Sequence, residues 1–509
     1  MFRTWQPIFY ALFLSVCFLL VNGYHFNTND QAEHLPQVYQ VLDQDLYPKD
    51  YFVPYSNSVF TVRFFFEKLM LVAHWTIGIE AGCFILTLLC IALLARSVMG
   101  ITESFFPNSV AKWIAPILVL FVFYGFTIGG NHITYPSLIS STVAKAFGAF
   151  AFWKFLQNKY LVSGIVLGIG SLFQPLVGLQ LGLLLISSHL LLYPRQWLPL
   201  LRFSIPLVAL LSLILIPVFI RQSIQKPLET DQYWQILYGF RNFHHYLPSV
   251  FPIGHFIKAT ALSVIGAICF FLLRPKKHGF FIVFGSLTII GMFVYSIGLE
   301  LDVLPQIGKS QWFKTSIWLA MLSSIGIAGI LSILPKITCV INHLAWSKTI
   351  PLLMISLLAL LLNSDYLPKD SNRYMIGNRK ASDLEKMHEW IAYYTPKNVC
   401  VLVSPNNKSF SCQAKRSMPI HFTAIVHEPE FMLEWYRRYS EIYGVTLDNL
   451  KHNAQTDAIE RFETDNFRGH HYGIDLRLDN LETCRFSNDL GPVLHKEGTL
   501  VLTQFLQAN

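Results

Sequence analysis

Apolar runs long enough to cross a membrane recur through the first 363 positions of this chain and then stop. A helix rises about 1.5 Å per residue, so roughly 18 or more mostly apolar residues are needed to traverse the hydrocarbon. The pattern predicts eleven spans, at 7–23, 78–96, 113–129, 138–156, 160–174, 176–193, 200–219, 256–274, 279–298, 315–334 and 347–363. The first, "IFYALFLSVCFLLVNG", looks like a secretory leader but lacks a clear small-residue cleavage site, and it is read as a retained helix. After it, "SVFTVRFFFEKLMLVAHW" carries Arg63, Glu67 and Lys68 among apolar residues, which predicts a helix lying in the interface rather than crossing. Only "FQPLVG" separates the fifth and sixth spans, so Gln174 and Pro175 mark a tight turn or a re-entrant tip.

From Ser364 to Asn509 the pattern changes to that of a soluble domain. In "ASDLEKMHEWIAYYTPKN", Ser382 and Glu385 make a capping box, and Leu384, Met387, Ile391 and Tyr394 share a helical face. "VCVLV", "MPIHFTA", "HYGIDLRL" and "GTLVLTQF" read as strands, and "EFMLEWYRRYSEIYG" as a second helix stopped by Gly444. The result is a small α/β domain without a GxGxxG, P-loop or GxSxG signature of its own. The expected organisation is a transmembrane domain over 1–363 and a soluble domain over 364–509.

Composition agrees: 53% of residues are apolar and 14% charged, against about 25% charged in soluble proteins. The net charge of +8 does not point to nucleic acid. Arg96 and Lys112, Lys154 and Lys159, Arg195 and Arg202, "RPKKH" at 274–278, and Lys336 with Lys348 fall in loops on one side. The positive-inside rule then places the N-terminus in the cytoplasm. An odd number of spans puts the soluble domain outside, with the loops at 24–77, 130–137, 220–255 and 299–314. Of eight cysteines, Cys17, Cys83, Cys90, Cys269 and Cys339 lie in or beside spans. Cys400 and Cys412 either pair across a hairpin in an oxidising compartment or remain free thiols, and no metal-type CxxC exists.

The outer loops carry polar chemistry that spanning does not require. "NTNDQAEHLPQVYQVLDQDLYPKDYF" forms an acidic shelf with Asp30, Glu33, Asp43, Asp45 and Asp50. Asp30 and Glu33 would share a helical face, where a carboxylate can act as a general base or hold a divalent metal, unless the segment is simply a solvated loop. Asn131 and His132 either bind a sugar or cap helices. Lys145 is an intramembrane charge unless it snorkels, and Gln174 either contacts substrate or satisfies backbone groups freed by Pro175. Arg241, His244 and His245 in "GFRNFHHYLPS" make a cationic and aromatic patch suited to phosphate or pyrophosphate, and paired histidines could also ligate a metal. Lys309 and Lys314 flank Trp312, as phosphate ligands or as interface anchors.

An acidic residue just past the first span, an amphipathic segment, many further spans and an α/β tail together resemble the GT-C superfamily of integral-membrane glycosyltransferases. "NHITYPSLISSTVAKAF", "SLFQPLVGL", "RNFHHYLPS" and "EWIAYYTPKNVCVLVSP…FMLEWYRR" resemble an uncharacterised bacterial family of GT-C-like multi-span proteins. The resemblance implies a GT-C-like bundle of about eleven transmembrane helices with a C-terminal extracytoplasmic α/β domain, in the bacterial inner membrane. It implies transfer of a sugar from a polyprenyl-phosphate donor to an extracytoplasmic glycan, lipid or protein, with membrane lipids as partners. Asp30 matches the superfamily's first-loop catalytic aspartate, with Glu33 and His34 as neighbours. Lys309 and Lys314 fall where the superfamily commonly sets a basic residue against the carrier phosphate. Many members have a second acidic residue directly after the first, where this chain has Gln31, which sets the sequence against a two-carboxylate or metal-dependent version. The alternatives are a transporter or flippase of lipid-linked glycans, an O-antigen polymerase or ligase, and a non-catalytic scaffold. Cofactor and protein partners are open.

Overall fold

The computed structural model describes residues 2–24, 26–27, 30–224, 231–334, 382–464, 472–483 and 492–505. The span expected at 347–363 lies outside them, as do Lys336, Lys348, Cys339 and Cys484. The helices in chain order are α1 (Phe2–Asn22), α2 (Gln31–Leu42), α3 (Phe52–Ser58), α4 (Phe64–Ile77), α5 (Ile79–Phe105), α6 (Ala111–Ile117), α7 (Ser140–Leu156), α8 (Tyr160–Phe173), α9 (Pro175–Leu192), α10 (Trp197–Ile224), α11 (Asp231–Trp234), α12 (Phe243–Tyr246), α13 (Ile253–Leu273), α14 (His278–Glu300) and α15 (Ser316–Leu331). They are followed by α16 (Asp383–Tyr394), α17 (Phe410–Ala414), α18 (Pro429–Tyr443) and α19 (Ala454–Glu463). The strands are β1 (Val401–Leu402), β2 (Leu476–Asn480), β3 (Val493–Glu497) and β4 (Leu500–Gln504).

The chain forms two compact units. The first gathers Met1–His25, Ala73–Ile216 and His244–Gly377; the second gathers Phe26–Val72, Pro217–Phe243 and Asn378–Asn509. In the first unit α5 packs against α1 and α7, α7 against α8, and α13 against α15. Among the described residues seven helical stretches, from Trp5–Asn22 to Pro305–Leu331, are long and apolar enough to cross a membrane. Large apolar side chains on α10, α13 and α14, such as Phe219, Phe271 and Phe293, stand exposed, as lipid-facing surfaces do. The chain is a multi-pass membrane protein.

Two approaches in this unit need glycine. A Cβ on Gly164 of α8 would fall on the backbone carbonyl oxygen of Phe203 in α10, and one on Gly266 of α13 would lie 2.5 Å from Ser323 Cα in α15. In a membrane, where apolar burial does not drive helices together, such close backbone approach supplies much of the packing.

One predicted span is interrupted. Helix α6 passes into a π-helical turn, Leu118–Val122, and helix is not resumed until Ser140. Gly129 and Gly130 take positive φ of 72° and 66°, which turns the chain. Its polar backbone is satisfied locally: Tyr124 Oη donates to Thr134 O at 2.8 Å, Thr127 Oγ1 to Asn131 O at 2.6 Å, and Ile128 N to Ser316 Oγ at 3.1 Å. Irregular backbone among spans is tolerated when it is paired and held against protein. Gln174 and Pro175 do form the tight turn between α8 and α9.

The second unit contains a four-stranded sheet in the order β1-β2-β4-β3, with β1 and β2 parallel and the rest antiparallel. Met387, Ile391, Val401, Val403, Phe410, Leu476, Leu478 and Leu502 form its core. The Ser382–Glu385 capping box starts α16, and Gly444, at φ 68°, ends α18. Tyr394 does not join the buried face of α16 and stands 65% exposed. The strand expected at "MPIHFTA" is absent. The segment is buried, but Asp50 captures the backbone N–H of Met418 at 3.0 Å, so it runs as an irregular strap instead. Cys400 and Cys412 are both buried and are not joined in a disulfide.

Replacing Gly266 by Leu is expected to cost about 1–3 kcal/mol through overpacking, read as a lower thermal midpoint of the detergent-solubilised protein. Gly254→Leu, where a Cβ meets nothing within 4 Å, is the control expected to leave the midpoint within a degree or two.

Candidate functional site

In the second unit the acidic shelf is largely consumed by internal pairing. Asp50 has a fully buried side chain that accepts four bonds: from Phe52 N at 2.9 Å, Val53 N at 3.0 Å, Met418 N at 3.0 Å and His421 Nε2 at 2.8 Å. Asp43 pairs with Lys397 at 2.6 Å, which holds its carboxyl below the usual range. Glu33 accepts from Arg63 Nη2 at 2.9 Å. Asp30 and Asp45 remain exposed.

Asp30 stands at the first position before α2, in a helical backbone conformation, and its carboxylate makes no capping bond to that helix. The residue is exposed. Behind it lies a set of sealed polar groups. Gln31 is fully buried, and neither amide atom has a hydrogen-bond partner among the described residues. His34 is buried edge-on to Phe66, with ring centroids 5.0 Å apart, and its Nδ1 is also without a partner there. Burial, reinforced by the Arg63 charge, holds His34 well below the usual imidazole range, so it is neutral. Glu67, one helical turn beyond Arg63, has a sealed Oε1, and burial pushes its carboxyl up to about 7 despite Arg63 and Lys68. Burial also raises Glu33, against the opposing pull of Arg63.

Arg241 belongs to this unit. It is buried over the Phe422 ring at 4.5 Å, donates to Asn242 Oδ1 at 2.6 Å and Thr423 O at 2.7 Å, and acts electrostatically on Glu33. Glu428 accepts from Arg221 Nε at 2.8 Å and from Tyr55 Oη at 2.9 Å. Ser411 Oγ lies 3.3 Å from His421 Nε2, the same nitrogen that bonds Asp50. A serine–histidine–aspartate relay needs serine and aspartate on opposite ring nitrogens, so this trio is structural.

In the first unit Asn131, His132 and Lys145 come together with the backbone of Lys314. Lys145 is 1% exposed, donates to Asn131 Oδ1 at 2.8 Å and His132 O at 2.6 Å, and faces the Tyr135 ring at 4.8 Å. Asn131 Nδ2 donates to Lys314 O at 3.1 Å. The His132 ring stacks on Tyr124 at 4.5 Å, and burial lowers its pKa. Lys145 thus pins the loop that interrupts the third predicted span. Gln174 accepts from Ser140 Oγ at 3.4 Å. Lys309 is exposed and Lys314 half-buried, each in a 3₁₀ turn before α15. His244 and His245 are exposed, with ring centroids 4.1 Å apart. An apolar groove of 520 Å³ lies among α13, α14 and α15, lined by Phe256, Ser263, Phe281, Phe293 and, next to Lys314, Phe313.

Among the described residues no three His, Cys, Asp or Glu side chains converge as a metal site. Asp30 and Glu33 fit a cation poorly for a positive reason: the Arg63 guanidinium already occupies Glu33 and would repel a dication. Sequence reasoning missed Arg63 as a partner of Glu33, the sealed Gln31 and Glu67, and the Asp50–His421 pair. The available signal was Arg63 and Glu67, four apart within an otherwise apolar run.

The chain has a mostly helical, ArnT-like fold with a small C-terminal sheet domain. ArnT from Cupriavidus metallidurans in the apo state is similar across 99% of this chain and 98% of its own, at a TM-score of 0.51 and 14% sequence identity. At that identity the likeness concerns the fold. A domain of unknown function, DUF6798, matches residues 382–442, which comprise α16, β1, α17 and most of α18. No curated protein matches the chain in sequence.

Glu67 supplies a pH test. Its folded pKa, about 7, stands above the 4.5 of an ordinary glutamate, so its protonation favours the folded state below about pH 4.5 and that contribution is lost as pH rises through 7. Relative to Glu67→Gln, the wild type is expected to lose about 2–3 kcal/mol between those limits, measured as the difference in thermal midpoint across the pH series.

Proposed function

We propose that this protein is a glycosyltransferase that moves a sugar from a polyprenyl-phosphate carrier to an acceptor outside the cytoplasm. The observation that carries the reading is the likeness to ArnT along nearly the whole of both chains. The residues support it in kind. Asp30 offers an exposed carboxylate at a helix start whose neighbours Gln31 and His34 are buried. The 520 Å³ groove is apolar, as a prenyl chain would require, and Lys314 follows its lining residue Phe313 directly in the sequence.

In this mechanism Asp30 accepts the proton of an acceptor hydroxyl as its oxygen bonds to the anomeric carbon. The bond from that carbon to the carrier phosphate breaks, and the electron pair leaves with the phosphate. One base and no carboxylate nucleophile imply inversion at the anomeric carbon. Fixed charge on a leaving group is commonly the largest contribution to such catalysis, and Lys309 and Lys314 are the basic residues that the resemblance assigns to the carrier phosphate. Arg241 serves chiefly to position the strap at Thr423, and Glu33 with Arg63 to hold α2. The bacterial inner membrane, with the second unit on its outer side, is the location this chemistry requires. Gln31 favours a second reading, a non-catalytic scaffold, because the amide stands where many superfamily members carry a second acid.

A strain lacking the protein, complemented with wild type or Asp30→Asn after membrane insertion is verified, decides between them by the sugars on its envelope glycans and lipids. The expected outcome is a sugar restored by wild type and reduced at least ~10²-fold by Asp30→Asn, the scale of general-base catalysis. Equal rescue by both would remove Asp30 as base and leave the scaffold or a transporter.

A further inference from the structure

The second unit holds a cavity, walled by both polar and apolar side chains, to which no residue of 26–72 contributes. Strands β1 and β2 are parallel, and the segments leaving their carboxyl ends line one space of 210 Å³. Ser404 and Asn407 follow β1, Asp479 and Asn480 are the last two residues of β2 with Thr483 just beyond it, and Glu463 ends α19. Phe462 and Leu478 supply an apolar wall. Carboxyl ends of parallel strands are where open α/β sheets commonly place ligands.

Two features give the cavity a chemical character. Asn407 is 9% exposed, and its Oδ1 has no hydrogen-bond partner among the described residues. Its Nδ2 lies 3.0 Å from Nε2 of the fully buried His388, whose Nδ1 lies 2.7 Å from Gln413 Oε1. That chain fixes the amide, and turning it over would only exchange which amide atom is bare. A buried amide oxygen without a donor is costly, so a donor from a ligand is favoured. Asp479 is also buried, and Arg477 Nε bonds it at 2.8 Å, which cancels most of its charge. The cavity therefore does not select an anion, and its two carboxylates with an arginine alongside do not make a cation site.

What remains is a neutral ligand rich in groups that both donate and accept. The space is below the ~300–1,000 Å³ of drug-sized sites and equals about seven waters at ~30 Å³ each, the scale of one sugar ring. We propose that this cavity binds a neutral monosaccharide unit, hydroxyls meeting Asn407, Asn480 and Thr483 and an apolar ring face against Phe462. The site is separate from the transferase reading and stands whether or not Asp30 is catalytic.

Saturation-transfer NMR on the full-length protein in detergent, with D-glucose, D-galactose, D-mannose and N-acetyl-D-glucosamine as probes, tests it. Transfer to the ring protons of at least one sugar is expected, weakened at least tenfold in affinity by Asn407→Leu. Thr483→Trp, at an exposed rim position, closes the mouth without touching the core and is expected to abolish the same signal. Absence of transfer from all four sugars, or transfer unchanged by Thr483→Trp, would overturn the proposal.

Discussion

The second unit depends on one buried carboxylate. Asp50 draws together two backbone N–H groups at the start of α3 and two donors, Met418 N and His421 Nε2, that lie more than 360 residues further along the chain. Donation to this carboxylate requires the proton to sit on Nε2 of the imidazole. Trp435 Nε1 then donates to the His421 carbonyl at 2.7 Å, extending the same linkage to α18. Removing one partner from such an arrangement leaves a buried charge or donor unpaired, which typically costs about 3–5 kcal/mol. Around this anchor the other contacts are additions: Tyr47 Oη to Ser411 O, Tyr51 stacked on Phe431, Lys49 with Asp475.

That arrangement changes the meaning of the acidic segment after the first span. A run of carboxylates beside a membrane suggests a substrate surface, yet most of these serve to build the unit. Asp30 stays exposed while Gln31, Glu33 and His34 turn in. An exposed carboxylate at the start of α2 is what a single-base mechanism needs, but Asp45 is exposed as well, so the chemistry rests on the whole-chain fold more than on local geometry. The first unit treats its conspicuous cation similarly. Lys145 loses its water but gains Asn131 Oδ1, a carbonyl and an aromatic face, and so becomes a strut for the 123–139 loop.

Much of the fold was legible because its signals are local. Spans follow from long apolar runs, the turn at Gln174–Pro175 from the proline, the start of α16 from its capping box and the end of α18 from Gly444. The third span was overextended because apolar residues continue past Val122 while the backbone leaves the helix, a choice made by Gly129, Gly130 and cross-chain bonds that hydropathy does not register. "MPIHFTA" has the composition of a strand, but its Met418 N–H was taken by a side chain from a distant segment. Of the candidate site, Asp30, Asn131, His132 and Lys145 were visible as polar residues in apolar surroundings. Arg63 was visible only as a charge to be solvated, because nothing local pairs it with Glu33.

By itself the sequence determined that this is a multi-pass membrane protein with a small α/β domain at its C-terminal end. Hydrophobic length and periodicity are properties of neighbouring residues, and no remote contact can cancel them over twenty positions. Tertiary structure alone decided which polar groups are spent and which are available. Whether a carboxylate is a base, a salt-bridge partner or an anchor depends on donors far away in the chain. So Asp30, Glu33 and Asp50, three acids within twenty-one positions, end in three different environments: open, paired and buried.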